Sequence, residues 1–468
     1  MTLSGVTSAA AAARPADVAG EAAADSAPWP GALYAWFVVA ALSLANMVSY
    51  VERQILTLLF TPIKHDFRLS DTEVSLLAGA AFVLFYVGFG LVIGRLADRT
   101  SRRRIIMTGV VFWSLATTAC GLAQNFTQLF VARISVGVGE ATLGPSALSI
   151  IGDCFPRAKL ARAISVYTGA QYVGAGLALV VGGMVIALAT RLGPDALPFL
   201  TGLRPWQMTF VIIGVGGMAV LIPLLFVREP QRRGLAPVAG PEGGVSRARL
   251  FAFLGENRRM FGAHFAAFSI SSMLGFGTVA WVPTFFVRHY HWPASRIGFA
   301  YGLMLAILGG AGVLAGARVG EWMERRGVAD ACLRLPMISM SAASALLVAA
   351  LLWPSEGAAL GFLAVSTFLS SFPVSLIIAA LQMVTPNQMR GQVVALYYFI
   401  ANVVGVATGP TVVALLTDHL FRDEGAVGYA LATAAAVITP VVVVILGFGL
   451  RGYRETLART AALHGSPA

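Results

Sequence analysis

Residues 74–104, VSLLAGAAFVLFYVGFGLVIGRLADRTSRRR, decide what kind of chain this is. From Val74 to Gly94, a run of 21 residues, there is no charged side chain. At about 1.5 Å of helical rise per residue, such a run crosses a hydrocarbon core roughly 30 Å thick. It ends in five arginines and one aspartate within residues 95–104. An apolar run halted by a basic cluster is the pattern of a membrane span and the loop that holds it on the cytoplasmic side.

Working outward from that span, apolar runs of similar length recur from end to end. Spans are expected at 33–60, 74–96, 105–123, 127–152, 161–190, 206–227, 260–287, 297–317, 335–353, 358–384, 391–416 and 426–450. The whole chain of 468 residues is 57% hydrophobic and only 12% charged, about half the charged fraction of soluble domains. A large soluble core would explain the apolar content but not runs that exceed a bilayer's span. The expected fold is an all-α integral membrane protein of twelve transmembrane helices in two pseudo-repeated six-helix halves.

The net charge of +11 invites a nucleic-acid reading, and the placement of the charge refutes it. With the N-terminus cytoplasmic and spans alternating, 24 of the 33 Lys and Arg fall on the cytoplasmic side and seven on the other. That asymmetry puts both termini in the cytoplasm and assigns the charge to anionic lipid headgroups. Cys120 falls in a span and Cys154 and Cys332 at cytoplasmic ends, so no disulfide is expected. Arginine outnumbers lysine about fifteen to one, which points to a GC-rich bacterial genome and a bacterial inner (plasma) membrane.

Residues 1–32 are Ala-rich and mildly acidic, without the basic start of a signal peptide, and are read as a disordered cytoplasmic tail. A first half follows at 33–227. A Pro-, Gly- and Arg-rich linker at 228–258 comes next, with a short surface helix expected near Leu250–Leu254. A second half at 259–450 and a tail at 451–468 complete the chain. The halves look related: GRLADRTSRRR at 94–104 recurs loosely as GARVGEWMERR at 316–326. Pro156 and Tyr167 also keep the separation of Pro386 and Tyr397. Repeated halves around a midplane site are what alternating access requires.

Four ionisable residues lie well inside spans: Glu52 and Arg53 in the first, Arg133 and Glu140 in the fourth. Charge in lipid is expensive, so such residues face a cavity and mark a path, or else pair statically and pin two helices. Asn46, Tyr50, Arg53 and Thr57 form one stripe, and Arg133, Gly137, Glu140 and Gly144 another. The Cα levels of Arg53 and Glu140 differ by about 10 Å, and side chains leaning toward their own helix N-termini close that gap. A carboxylate held by an arginine stays ionised; one separated from it in an apolar site takes up a proton. Glu140, Glu52 and Arg53 are therefore the expected proton-coupling residues. Glu52 lies about 100° round the helix from Arg53, so either it faces the cavity or it pairs with Arg133 at similar depth.

The most specific motif is GRLADRTSRRR itself. Asp98 beside Arg99, Arg102, Arg103 and Arg104, at a helix–loop junction, can cap a neighbouring helix and lock one conformer. Here the chain resembles the major facilitator superfamily, whose signature loop is matched by Gly94, Leu96, Asp98, Arg99, Arg102 and Arg103, with Ser101 in place of a Gly. Arg133 with Gly137 resembles its fourth-helix arginine motif. Within the superfamily the chain is similar to spinster-like proteins over most of 35–450. The carrying segments are SYVERQILTLLFTPIKHDFRLSDTEVSLL, RISVGVGEATLGPSALSIIGDCFP and NVVGVATGPTVVALLTD. The family's usual Asn-Tyr-x-Asp-Arg reads Ser49-Tyr50-Val51-Glu52-Arg53 here. The resemblance implies proton-driven movement of lipid-like amphiphiles, lysophospholipids and sphingosine phosphates in eukaryotic members.

The seventh to twelfth spans hold no Asp, Glu, Lys or Arg in their interiors. They offer hydroxyls, amides and aromatics instead. The expected substrate site joins Arg53, Tyr50, Asn46 and Arg133 on one wall to Phe276, Trp281, Phe372, Tyr398 and Asn402 on the other. With charge on one side and aromatics on the other, the partners expected are an amphiphilic small molecule, protons and membrane lipids, with no nucleic acid, and a monomer suffices. No Walker loop, metal-ligand cluster or nucleophile elbow occurs in the sequence, so no cofactor and no enzymatic activity are expected. Two other readings stand beside this one. One is a proton-coupled carrier of small organic anions or drugs, with Arg53 or Arg133 as carboxylate ligand. The other, of a different class, is a channel, scramblase or non-transporting receptor on the same scaffold.

Overall fold

The computed structural model describes residues 29–192, 202–232, 247–386 and 389–463. Most of the tail 1–32, the middle of the linker 228–258 and the end of the tail 451–468 lie outside the described residues. In a lipid core every backbone N–H and C=O must be satisfied within its own segment, so apolar runs of this length fold as helices. Twelve such helices are present among the described residues: α1 (Ala32–Leu58), α2 (Asp71–Gly90), α3 (Arg102–Leu122), α4 (Phe126–Cys154), α5 (Arg162–Arg191), α6 (Pro205–Leu225), α7 (Arg258–His289), α8 (Ala294–Arg325), α9 (Ala331–Leu352), α10 (Glu356–Val384), α11 (Arg390–Phe421) and α12 (Glu424–Arg459). All twelve expected spans are met. The main differences are at α8 and α12, which run past the expected 317 and 450 into charged turns, because helical hydrogen bonding continues after the apolar run ends. A short helix at Arg247–Glu256 precedes α7.

The repeat is visible in one detail of geometry. Both α4 and α10 are interrupted: α4 is built as Phe126–Glu140 and Leu143–Cys154, α10 as Glu356–Ser370 and Pro373–Val384, each with 15 residues and then 12. Pro145 and Pro373, having no N–H, cannot bond back to the carbonyl four residues earlier, and the helix yields there. Glu140 is the last residue before the break in α4. Interrupted helices near the middle of a membrane are where transporters place polar groups.

We call the end of the bundle where α1 begins and α6 ends the terminal end, and the opposite one the far end. Hydrogen bonds and ion pairs join the two halves at the far end. Asp71 and Thr72 at the start of α2 meet Arg288 of α7 and Asp418 of α11; Lys64 meets Glu424; Ser75 meets Thr411. Apolar packing follows the same line, with Phe60 stacked on Trp281 at 5.1 Å between ring centres. The halves are therefore closed together at the far end.

Candidate functional site

The site starts from α1. Ser49 and Arg53 are one helical turn apart and so share a face. Both reach the carboxylate of Glu140, which the break in α4 leaves at a helix end. Arg53 donates to Glu140 Oε2 from Nη2 at 2.6 Å and from Nε at 3.2 Å, and Ser49 Oγ donates to the same oxygen at 2.6 Å. Glu140 Oε1 is buried and has no hydrogen-bond partner. One carboxylate oxygen thus carries three donors and the other none. The Glu140 side chain is fully buried while that of Arg53 is 17% exposed, so the pair is reached from the arginine's side.

Aromatic rings enclose the arginine. The Arg53 guanidinium lies 4.2 Å from the Phe82 ring centre, 4.9 Å from Tyr50 and 5.3 Å from Tyr86. Each contact attracts a cation through the ring quadrupole. Phe82 and Tyr86 reach this position because α2 comes close to α4 at Gly137. A Cβ there would sit 2.6 Å from the Phe82 carbonyl oxygen, so glycine sets the spacing.

Glu52, next along α1, points elsewhere. It is fully buried, and its oxygens accept from Ser114 Oγ at 3.1 Å and Thr117 Oγ1 at 2.6 Å, both on α3. Gly217 near the end of α6 makes the room, since a Cβ there would lie 2.0 Å from Glu52 Oε1. The alternative of a Glu52–Arg133 ion pair is thereby corrected. The Arg133 guanidinium instead approaches the carbonyls of Leu77, Glu52 and Arg53, each at 3.4 Å, and so ties α4 to α1 and α2. Neither Glu52 nor Arg133 opens onto a cavity, because each is spent holding helices of the first half together.

The other expected positions divide. Tyr50 stands beside Arg53, whereas Asn46 is buried with its Nδ2 unpartnered. On the second half, Phe276 and Tyr398 are open, at 40% and 51% exposure, and Asn402 is half-buried, its Nδ2 donating to the Tyr398 carbonyl. Trp281 and Phe372 are corrections to the expected aromatic wall in this conformer. Trp281 is wholly buried, with Nε1 donating to the Pro410 carbonyl at 2.8 Å, and forms part of the far-end closure. Phe372 is buried in the break of α10, where its backbone packs on Gly316 of α8.

Of the expected latch, the side chains of Gly94, Asp98 and Arg99 lie outside the described ones. Arg102 and Arg103 join a cluster that ties the first half to the start of the linker. Arg102 binds Asp153, Ser149 and, at 2.8 Å, Glu229, and the Arg103 amide donates to Glu229 at 2.9 Å. Burial raises the Glu229 carboxyl, but the Arg103 amide, the Arg102 guanidinium and the Ser101 hydroxyl outweigh it and hold it below the usual carboxylate range. Sequence reasoning missed Ser49, Phe82 and Tyr86 around Arg53, Ser114 and Thr117 around Glu52, and the Asp153–Glu229 cluster. The first three had a signal: Ser49 is one turn from Arg53, and Phe82 one turn from Tyr86.

These features agree with what the chain is similar to. The profile of the Major Facilitator Superfamily matches residues 42–410. An MFS-type efflux pump of Mycolicibacterium smegmatis is 27% identical over 93% of this chain and 97% of its own length. A hexuronate transporter of Bacillus subtilis is 24% identical over 87% of this chain and 93% of its own. Among solved structures, a bacterial homolog of the human lysosomal transporter spinster, in an inward-facing and unoccupied conformation, superposes with a TM-score of 0.73 at 25% identity. It covers 94% of this chain and 100% of that one. The chain belongs to the Major Facilitator Superfamily and is, within it, a spinster-like multi-pass membrane transporter.

Proposed function

We propose that this transporter is a proton-coupled secondary active carrier of an amphiphilic, lipid-like substrate, working by alternating access, with Glu140 as the proton site. The observation that carries the reading is the asymmetry of the Glu140 carboxylate. Its Oε2 is held by Arg53 and Ser49 while the buried Oε1 is bare. Oε1, which has no partner to give up, is the position this reading assigns to the coupling proton when Arg53 is drawn away. A substrate headgroup that engages Arg53 from its exposed side competes with Glu140 for the guanidinium, which couples substrate to proton. Asymmetry between the walls favours an amphiphile: the cation and its carboxylate are on the first half, and Phe276 and Tyr398 are open on the second, beside a half-buried Asn402.

The charge bias of the loops supports a cytoplasmic terminal end in a bacterial plasma membrane. On that orientation, closure at the far end makes this conformer inward-open. The two six-helix halves, joined through 228–258, then rock about the site between them. A second reading keeps the site and changes the cargo. The similarity to a hexuronate transporter, with a partly exposed Arg53, fits a carboxylate sugar held by that guanidinium. Uptake in proteoliposomes under an imposed pH gradient, with lysolipids of graded chain length and hexuronates in one panel, tests both. Gradient-driven uptake that rises with chain length supports the first reading. Uptake of the tail-less acids alone assigns the site to the second, and uptake indifferent to the gradient removes the proton from the account.

A further inference from the structure

We propose that the corner of the terminal end where α7 begins and α12 leaves the membrane binds an anionic phospholipid, whose phosphate is held by Arg258, Arg259 and Arg451. Two glycines of α12 bring these arginines together. A Cβ added at Gly449 would lie 2.8 Å from the Ala263 side chain, and one at Gly452 would lie 3.5 Å from the Arg259 Cβ. The first turns of α7 therefore rest directly on α12. A hydrogen bond of 3.2 Å between Thr456 and Asn257 ties the same two elements. All three arginines are exposed.

Three observations point to a lipid phosphate. First, the cations are unpaired. Among the described residues none of the three makes an ion pair, whereas their neighbours Arg334 and Arg454 both bind Asp330, and Arg459 binds Glu455. Glu256, two residues before Arg258, is exposed and reaches none of them. Arg258 and Arg259 also fill the first two positions of α7, which has no side-chain cap and no acidic residue in its first turn. The positive end of the helix dipole disfavours cations there, and a bound anion relieves both that conflict and the repulsion among the arginines. Second, the depth is right. Val437, Val441, Val444 and Phe448 form a stripe at 4-3-4 spacing on α12, each at least 44% exposed. Such a stripe on a membrane span meets acyl chains. Arg451 is the next position on it, one turn beyond Phe448, where a guanidinium reaches the headgroup layer. Third, the short helix Arg247–Glu256 lies beside the corner. Leu250 joins the core around Met260, Phe261 and Tyr453, and Phe253 packs edge-on against Phe261 at 5.5 Å between ring centres. Its other face leaves Arg249 and Phe251 exposed, the pairing of cation and aromatic ring found on helices in the membrane interface. The bound lipid lays one acyl chain along the Phe448 stripe and its phosphate among the arginines.

The site lies apart from Arg53 and Glu140, and the inference holds whichever cargo the transporter carries. The full chain in detergent is titrated with dioleoyl phosphatidylglycerol, with dioleoyl phosphatidylcholine and with inorganic phosphate. Binding is read by native mass spectrometry and by the shift in thermal unfolding. The variants are Arg258→Gln, Arg451→Gln and the two combined, with Arg325→Gln as a control at another exposed arginine of the same end. Wild type should bind phosphatidylglycerol about twentyfold or more tighter than phosphatidylcholine. Each single variant should lose roughly fivefold of that preference and the double variant nearly all of it, while Arg325→Gln keeps it. Unchanged unfolding of the double variant in phosphatidylcholine shows that its loss is not one of folding. A double variant with the wild-type preference would overturn the site, as would a wild type that does not distinguish the two lipids. Stabilisation by inorganic phosphate equal to that by phosphatidylglycerol, and lost in the double variant, would assign the arginines to a free anion and overturn the lipid.

Discussion

Gly137→Ala tests whether the spacing of two helices, and not only the identity of the charged residues, builds the Arg53 site. The added Cβ would lie 2.6 Å from the Phe82 carbonyl oxygen and 3.3 Å from its carbon. These are backbone atoms and cannot rotate away. To restore an ordinary contact near 3.4 Å, α2 must retreat from α4 by about 0.8 Å. Overpacking of that kind costs about 1–3 kcal/mol. The same retreat draws Phe82, whose ring now lies 4.2 Å from the guanidinium, away from Arg53. That loses part of a contact worth about 0.5–2 kcal/mol. A control is available on the same helix: a Cβ added at Gly152 would meet nothing within 4 Å, and the backbone there is ordinary helix. Gly152→Ala should leave stability unchanged or raise it by about 0.5–1 kcal/mol. The assay is thermal unfolding in detergent with substrate uptake measured in parallel. Gly137→Ala should unfold several degrees earlier and transport more slowly, while Gly152→Ala does neither. Equal behaviour of the two variants would refute the argument that α2–α4 spacing sets the site.

Two further outcomes are expected. Glu229, held below its usual range, stabilises the fold above the unfolded carboxyl value of about 4.3, and that contribution is lost as pH falls through its lower folded value. The Tm gap between wild type and Glu229→Gln should therefore be open at pH 7 and shrink below about pH 4; a gap independent of pH would remove the carboxylate from the Arg102 cluster's energetics. Phe276→Ala and Tyr398→Ala should weaken binding of long-chain amphiphiles more than short-chain ones, by about 0.8 kcal/mol per methylene that loses its contact; equal losses across a chain-length series, measured by binding, would take these residues off the tail's path.

The class of fold was fully legible because one physical constraint dominates it. An uncharged run of about 20 residues has few other fates than a membrane span. The Arg53–Glu140 contact was legible too, since two opposite charges deep in antiparallel helices have strong reason to meet. Glu52 and Arg133 show where such reasoning fails. Depth and sign alone suggested a pair, but which way a side chain turns depends on holes such as the one at Gly217 and on hydroxyls such as Thr117. Neither hole nor hydroxyl carries a charge signal along the chain. Trp281 failed for a related reason, because an aromatic residue at helical spacing reads the same whether it faces a cavity or the opposing half. The far-end cluster escaped because its members, Lys64, Asp71, Arg288, Asp418 and Glu424, sit near span ends. There an isolated charge reads as solvated until a second half is placed against it.

Gradient-driven accumulation by Glu140→Gln in proteoliposomes tests the central claim most directly. The glutamine keeps an oxygen for Arg53 and Ser49, so the site retains its shape, but it can neither ionise nor carry a proton. Correct folding is checked by unchanged elution and thermal unfolding, and residual function by substrate exchange without a gradient. The account predicts that exchange persists while accumulation driven by an imposed pH gradient is abolished. Accumulation by the variant at the wild-type level would contradict it and place the coupling proton elsewhere.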